Sequence, residues 1–162
     1  MRYRPVRWRE PLLVVILLLA GLSVRAFCGS RSYVFAGSDS YGYNKLADQV
    51  RMEGRYALDP PPAPLHWARP WGYPLYVMIV KWDARAEMSG GQGWQRIKWA
   101  NILLEVFGTG LLLYFAVRRL AGWGPAALAL GLLMIMPFNA VVTPAALTET
   151  FATFVTTATA VV

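Results

Sequence analysis

The chain has very few of the residues that build disulfide frameworks and zinc sites. Among its 162 residues there is one cysteine, Cys28, and one histidine, His66. A single cysteine excludes a disulfide within the chain, and one cysteine with one histidine leaves no cluster that would bind zinc. We therefore expect no zinc centre, and whether a divalent metal is needed for function stays open.

Charged residues are also scarce, at 15% of the chain against 56% hydrophobic residues. Soluble domains carry about 25% charged residues. The deficit is concentrated in a few long runs without charge, which favours a membrane protein over a soluble protein with a large core. The formal net charge is +7. Because the basic residues lie in short groups beside the apolar runs, we expect anionic membrane lipid as a partner and no nucleic acid.

Four apolar segments are candidates for membrane-spanning helices, which need about 20 residues each. They cover residues 11–28, 99–117, 123–142 and 145–162. We expect the Arg25 side chain, within the first segment, to extend towards the membrane surface. The alternative for this segment is a signal peptide, which the later apolar segments disfavour. The given sequence stops inside the fourth segment, so we expect a fragment of a longer protein.

Basic residues beside the first two segments predict their orientation. Four arginines precede the first segment, and the pair Arg118-Arg119 follows the second. Two crossings in opposite directions bring both groups to one side, which the positive-inside rule makes cytoplasmic. Residues 29–98 then form a large outward-facing loop. We expect an all-α integral membrane protein of a bacterial inner membrane, with a cytoplasmic N-terminus.

Short helices are expected within the outward loop. Apolar positions at helical spacing predict a helix from Ser38 to Arg51, which Gly54 can end. They are Tyr43, Leu46, Ala47 and Val50. Residues 59–64 are rich in proline and must be extended or turning. Residues 73–82 are apolar but too short to span, which predicts a helix at the membrane surface with Tyr73 among its headgroup anchors.

Polar residues within the second span are expected to have a structural role. Glu105 lies deep in this apolar segment, and Asn101 lies one helical turn earlier on the same face. Polar side chains inside membrane helices commonly contact neighbouring helices. We therefore expect this pair to form structural contacts.

An ordered set of short motifs extends over most of the chain. It comprises Gly37, Asp39, Tyr43, Ala47, Gly54 with Tyr56, Arg69-Pro70-Trp71-Gly72-Tyr73-Pro74, Arg118-Arg119-Leu120-Ala121-Gly122, Pro137, and Thr148-Glu149. In order and spacing, this set resembles the N-terminal part of the GT-C superfamily of polyprenyl-phosphate-sugar-dependent glycosyltransferases. That superfamily includes the protein O-mannosyltransferases and the lipid A aminoarabinose transferase. Two positions depart from its pattern, since Trp71 replaces the usual second proline and Ser40 stands where some members carry a second acid.

The resemblance implies a membrane enzyme that transfers a sugar from a polyprenyl-phosphate donor to a protein, lipid or glycan acceptor. In-line attack opposite the phosphate would invert the anomeric centre, and the donor is a substrate, so no cofactor is expected. The alternative is a non-enzymatic multi-span membrane protein, such as part of a transporter or an assembly factor. The resemblance also implies that Asp39 is the catalytic base, which takes a proton from the attacking acceptor. The residues alone leave a second role open for Asp39, as a helix cap.

Four further residues complete the expected site. Glu149 lies in an apolar segment, where a carboxylate is costly, and is expected to hold the acceptor or orient a base. Its alternative is a solvated carboxylate at the headgroup level. Arg69 is the candidate for binding the donor phosphate, because a guanidinium can contact two phosphate oxygens. Its alternative is a loop arginine paired with lipid headgroups, because other cations of the loop are equally available: Arg51, Arg55, Lys81 and Arg85. Tyr43 and Tyr73 are candidate substrate-binding residues, with an interfacial location as the alternative.

Overall fold

The computed structural model describes residues 8–31, 38–54, 72–81, 92–143 and 149–161. In chain order the helices are α1 (Arg9–Arg31), α2 (Ser38–Glu53), α3 (Gly72–Lys81), α4 (Gln92–Leu103), a π-helical segment (Leu104–Thr109), α5 (Gly110–Ala121), α6 (Trp123–Ile135), α7 (Pro137–Val142) and α8 (Glu149–Val161). The described residues contain no strand, which confirms the expected all-helical class.

Two helices are long and apolar enough to cross a membrane. The first is α1, with 23 residues and a mean hydropathy of 2.4 over its most apolar window. The second is the continuous helix Gly93–Ala121, which has 29 residues and a corresponding value of 1.7. At the usual helical rise these helices are about 34 and 43 Å long, against a hydrocarbon thickness of about 30 Å. By length and composition they match the first two predicted spans.

The other two predicted spans contain shorter helices. α6 has 13 residues and ends before Met136, whose ψ of 114° is extended. The following Pro137 explains this break, because proline disfavours a helical conformation at the residue before it. The chain then resumes as α7, with 6 residues, and α8 has 13. A 13-residue helix is about 20 Å long, so α6 does not cross about 30 Å of hydrocarbon alone.

An apolar core forms where α1, the helix Gly93–Ala121 and α6 meet. Its buried members are Leu18, Ile102, Val106, Tyr114, Ala126, Leu130 and Met134. Glycines allow the helices to approach closely, because a Cβ on Gly21 would collide with the Met134 side chain. One on Gly110 would lie 2.8 Å from Met134 Cε. Membrane helices commonly pack through such small residues.

A buried ion pair joins α1 to the π-helical segment. Arg25 is 0% exposed, and its Nε donates to Glu105 Oε2 at 3.0 Å. Its other nitrogens donate to the main-chain oxygens of Met134 and Leu133, both at 3.0 Å. A helix would pair the Leu133 oxygen with the N–H of Pro137, which proline lacks. The expectation that Arg25 extends to the surface is wrong, because these acceptors stabilise its buried charge.

The carboxylate of this pair has a second donor, from the residue that follows α7. The Thr143 hydroxyl donates to Glu105 Oε2, and Glu105 is 6% exposed. Asn101 also contacts a neighbouring helix, since its Oδ1 accepts from the Tyr76 hydroxyl of α3 at 2.8 Å. The predicted structural contacts of Glu105 and Asn101 are therefore confirmed.

Contacts at the two ends of α1 show that it runs antiparallel to the helix Gly93–Ala121. Near its N-terminus, Glu10 accepts from Tyr114 Oη at 2.6 Å and pairs with Arg118 Nε at 2.7 Å. Near its C-terminus, the Gly29 oxygen accepts from Lys98 Nζ at 3.1 Å. We call these the basic end and the loop end. The prediction that Arg118 lies at the same end as the start of the first span is confirmed.

Replacing Arg25 by methionine should destabilise the fold strongly, because it leaves the Glu105 carboxylate buried without its cation. Breaking a buried pair in this way costs about 3–5 kcal/mol. Arg118→Met is the matched control. Its pair with Glu10 is more exposed, at 48% and 22% of the two side chains, so we expect a loss below about 1 kcal/mol. Unfolding of the purified variants in detergent measures both effects, and equal losses would contradict the role given to Arg25.

Candidate functional site

At the loop end, aromatic side chains from α2, α3 and α8 form a cluster, which we call the aromatic cluster. It consists of Tyr43, Tyr73, Tyr76 and Phe151. The ring of Tyr43 meets that of Tyr73 edge-on, with centroids 5.1 Å apart, and Phe151 stacks on Tyr76 at 5.0 Å. Such contacts add about 0.5–1.5 kcal/mol per pair beyond the burial of apolar area. The cluster therefore holds the first turn of α8 against α2 and α3.

The sequence of α2 explains how Tyr43 reaches this cluster. The helix begins at Ser38 and ends before Gly54, whose φ of 65° is left-handed and whose N–H donates to Val50 O at 3.0 Å. Tyr43 and Ala47 are one turn apart, and both pack with Tyr73. The predicted helix over residues 38–51 is confirmed, whereas residues 59–64 lie outside the described residues.

A polar contact on the same face of α2 fixes α3. Lys81 Nζ donates to Asn44 Oδ1 and pairs with Asp48 Oδ1 at 3.4 Å. Lys81 is 4% exposed. Its ammonium group is therefore not accessible to the phosphate of a donor substrate. Its main-chain oxygen accepts from Arg96 Nη1 of α4 at 3.1 Å. These bonds connect α2, α3 and α4 into one support for the cluster.

Tyr73 lies at the centre of the aromatic cluster, 3% exposed. The expectation that it anchors the chain at lipid headgroups is wrong, because α2 and α8 cover its ring. Burial raises the pKa of Tyr73 above its ordinary value, and Tyr76 and Glu149 raise it further, while Asn101 opposes them. Glu149 begins the helix whose Phe151 ring lies 6.1 Å from that of Tyr73.

The Tyr73 hydroxyl is buried, and it makes no hydrogen bond of normal geometry among the described residues. The nearby Asn101 has Oδ1 engaged by Tyr76 at 2.8 Å. Buried polar groups usually have partners, so an exception of this kind deserves a functional test. Sequence reasoning missed Tyr76, Phe151 and Asn101 as neighbours of Tyr73. The three-residue spacing of Tyr73 and Tyr76 on one helical face was the available signal.

Glu149 is the first residue of α8 and is exposed to solvent. It lines a shallow groove along α8 with Ala152, Thr153, Thr156 and Thr157. Phe151, two residues later, belongs to the aromatic cluster. Glu149 is therefore an accessible carboxylate at the loop end. Its exposure agrees with the alternative of a solvated carboxylate.

The structure brings together three of the five predicted site residues. Tyr43 and Tyr73 are in contact, and Glu149 lies two residues before Phe151 of the same cluster. Asp39 lies in the first turn of α2, one turn before Tyr43 along the helix. Arg69 lies outside the described residues.

Comparisons with known proteins find no similar protein. No family model matches the chain, and no curated protein or solved structure matches it significantly. Within the described ranges, no three histidine, cysteine, aspartate or glutamate side chains form a group that could hold a metal ion.

Replacing Tyr73 by phenylalanine should leave the free energy of unfolding unchanged or slightly higher, because it removes a buried hydroxyl that makes no hydrogen bond of normal geometry to the described residues. Tyr76→Phe is the matched control, since it deletes the same group from the same helix but breaks the bond to Asn101. That loss should cost about 1 kcal/mol. Unfolding in detergent compares the two variants. If Tyr73→Phe is as damaging as Tyr76→Phe, the Tyr73 hydroxyl has a partner in the folded protein.

Proposed function

We propose that this chain is the first part of a GT-C-type membrane glycosyltransferase, which transfers a sugar from a polyprenyl-phosphate donor to a protein, lipid or glycan acceptor. The observation that supports this most is the meeting of α2, α3 and α8 at the loop end. These helices carry Tyr43, Tyr73 and Glu149, which are far apart in sequence and belong to the motif set. A set of motifs that serves one site should converge in this way.

In the proposed mechanism, Asp39 is the general base. It accepts the proton of the acceptor hydroxyl or amine as that atom attacks the anomeric carbon. The new bond to the acceptor forms while the bond to the donor phosphate oxygen breaks, and polyprenyl phosphate leaves from the opposite face. Attack from that side inverts the anomeric centre, and the reaction uses no cofactor.

The remaining residues bind and orient the two substrates. Arg69 contacts the donor phosphate, and Tyr43 offers part of its ring for stacking on the sugar. The ring of Tyr43 is half-buried, which leaves some of it accessible. Glu149 holds the acceptor through its exposed carboxylate. The ring of Tyr73 meets that of Tyr43 edge-on and supports it. The Tyr73 hydroxyl forms a hydrogen bond with a substrate that enters the cluster.

The proposed topology has four crossings of a bacterial inner membrane, with the basic end in the cytoplasm and the loop end outside. α1 and the helix Gly93–Ala121 form the first two crossings. α6 with α7 forms the third, and α8 begins the fourth. Support comes from the apolar composition of these segments and from Arg118 at the same end as the start of α1.

Reporter fusions test this orientation. A periplasm-active reporter fused after Gly54 should be active, and the same reporter fused after Gly122 should be inactive, because the basic end stays in the cytoplasm. The two fusions control for each other's expression. Activity after Gly122 alone would reverse the topology and place Glu149 on the wrong side for an externally facing site.

In the full-length protein, Asp39→Asn should lower sugar transfer by about 10²- to 10⁴-fold, because the amide cannot accept a proton. Asp48→Asn is the matched control on the same helix, since Asp48 pairs with Lys81, and it should transfer at a near-normal rate. Arg69→Ala should act mainly on donor affinity, because it removes phosphate contacts. Turnover of a labelled polyprenyl-phosphate sugar in membranes measures all three variants. Near-normal turnover of Asp39→Asn would refute the catalytic role of Asp39.

A further inference from the structure

A groove lies along α4 on a different face from the aromatic cluster. It has a volume of about 590 Å³ and is lined by Val80, Gln95, Arg96, Trp99, Ala100 and Leu103. Trp94 and Ile97 of the same helix are buried towards the core that contains Tyr73. The groove is therefore separate from the proposed sugar site.

The chemistry of the groove changes along its length from polar to apolar. Arg96 lies at its start and Leu103 at its end, about 10 Å further along the helix axis. Trp99, between them, is 43% exposed, and Leu103 is 47% exposed. Since α4 begins the apolar helix Gly93–Ala121, this direction leads from the headgroup region towards the hydrocarbon. Tryptophan is enriched at that boundary.

Arg96 gives the polar part of the groove a fixed positive charge. Its Nη1 donates to the Lys81 oxygen at 3.1 Å, which orients the guanidinium. Within the described part of the chain, Arg96 forms no ion pair with a carboxylate, whereas Lys81 pairs with Asp48 and Arg25 with Glu105. A guanidinium has five N–H donors, so those not used by Lys81 can bind phosphate oxygens.

We propose that this groove binds an anionic phospholipid of the surrounding bilayer, with the headgroup phosphate on Arg96 and an acyl chain along Trp99 and Leu103. Charge complementarity selects a lipid with net negative charge, because the described lining contains one cation and no acid. The polar-to-apolar direction selects an amphiphile over a soluble anion. The proposal goes beyond the glycosyltransferase function and does not require it.

Native mass spectrometry of the purified chain in detergent tests the proposal with three added lipids. They are phosphatidylglycerol, phosphatidylcholine and polyprenyl phosphate, each at equal concentration. Phosphatidylglycerol should be retained in preference to phosphatidylcholine and at least as well as polyprenyl phosphate. Preference for polyprenyl phosphate would overturn the assignment to a bilayer lipid, and equal binding of phosphatidylglycerol and phosphatidylcholine would overturn the charge argument.

Three variants locate the bound lipid. Arg96→Gln should weaken phosphatidylglycerol binding about fivefold, because one basic residue near an anionic headgroup contributes about 1 kcal/mol. Arg31→Gln is the matched control, since Arg31 is exposed at the end of α1 and does not line the groove. It should change binding less than about twofold. Ala100→Leu fills the groove without altering charge and should also lower binding.

Circular dichroism and size-exclusion profiles establish that each variant is folded before its binding is compared. Equal losses for Arg96→Gln and Arg31→Gln would show that binding follows overall surface charge, which refutes the site. If Arg96→Gln fails to fold, Ala100→Leu decides the question, because the filled groove must lose lipid if the acyl chain lies there. Unchanged binding by folded Ala100→Leu would equally refute the proposal.

Discussion

The buried bond between Arg25 and Glu105 is the interaction on which the arrangement of the helices depends. A charge fully removed from solvent is tolerated when it is paired and when its remaining donors are satisfied. Pro137 contributes one of the acceptors indirectly. Because proline has no N–H, the Leu133 oxygen is left available to accept from Arg25. One guanidinium therefore contacts α1, the π-helical segment and the end of α6, while Thr143 adds α7 through the same carboxylate.

The individual helices of this fold can be predicted from the sequence pattern, but the partners of its buried polar groups cannot. Apolar spacing correctly predicts α2, and the position of Glu105 in an apolar run correctly predicts a contact with another helix. The partner was not predictable, because Arg25 near a helix end is equally compatible with a surface location. The break at Met136 follows from Pro137, but its consequence for Arg25 requires the three-dimensional packing of α1 against α6.

At the loop end, the structure buries residues that were expected at the surface. Tyr43 packs against Tyr73, and Glu149 begins the helix that contributes Phe151 to the same cluster. Tyr73 was expected at the membrane surface and Lys81 was counted among the available loop cations, but contacts with α2 bury both. Those contacts join residues about 30 positions apart, and local spacing carries no information on them. The catalytic assignment of Asp39 and the phosphate-binding assignment of Arg69 stay predictions.

The π-helical segment links the buried ion pair to the candidate site. The N–H of Gly110 donates to the oxygen of Glu105, five residues earlier, so the turn that carries Glu105 is wider than an α-helical turn. Within that turn, Gly108 packs so closely on α8 that a Cβ there would lie 3.0 Å from the Phe154 ring. Phe154 lies one helical turn after Phe151, which belongs to the aromatic cluster, and Glu149 begins the same helix. The segment that Arg25 holds in place therefore sets the position of α8. Through α8, the buried pair helps to fix where the exposed carboxylate of Glu149 lies relative to Tyr73.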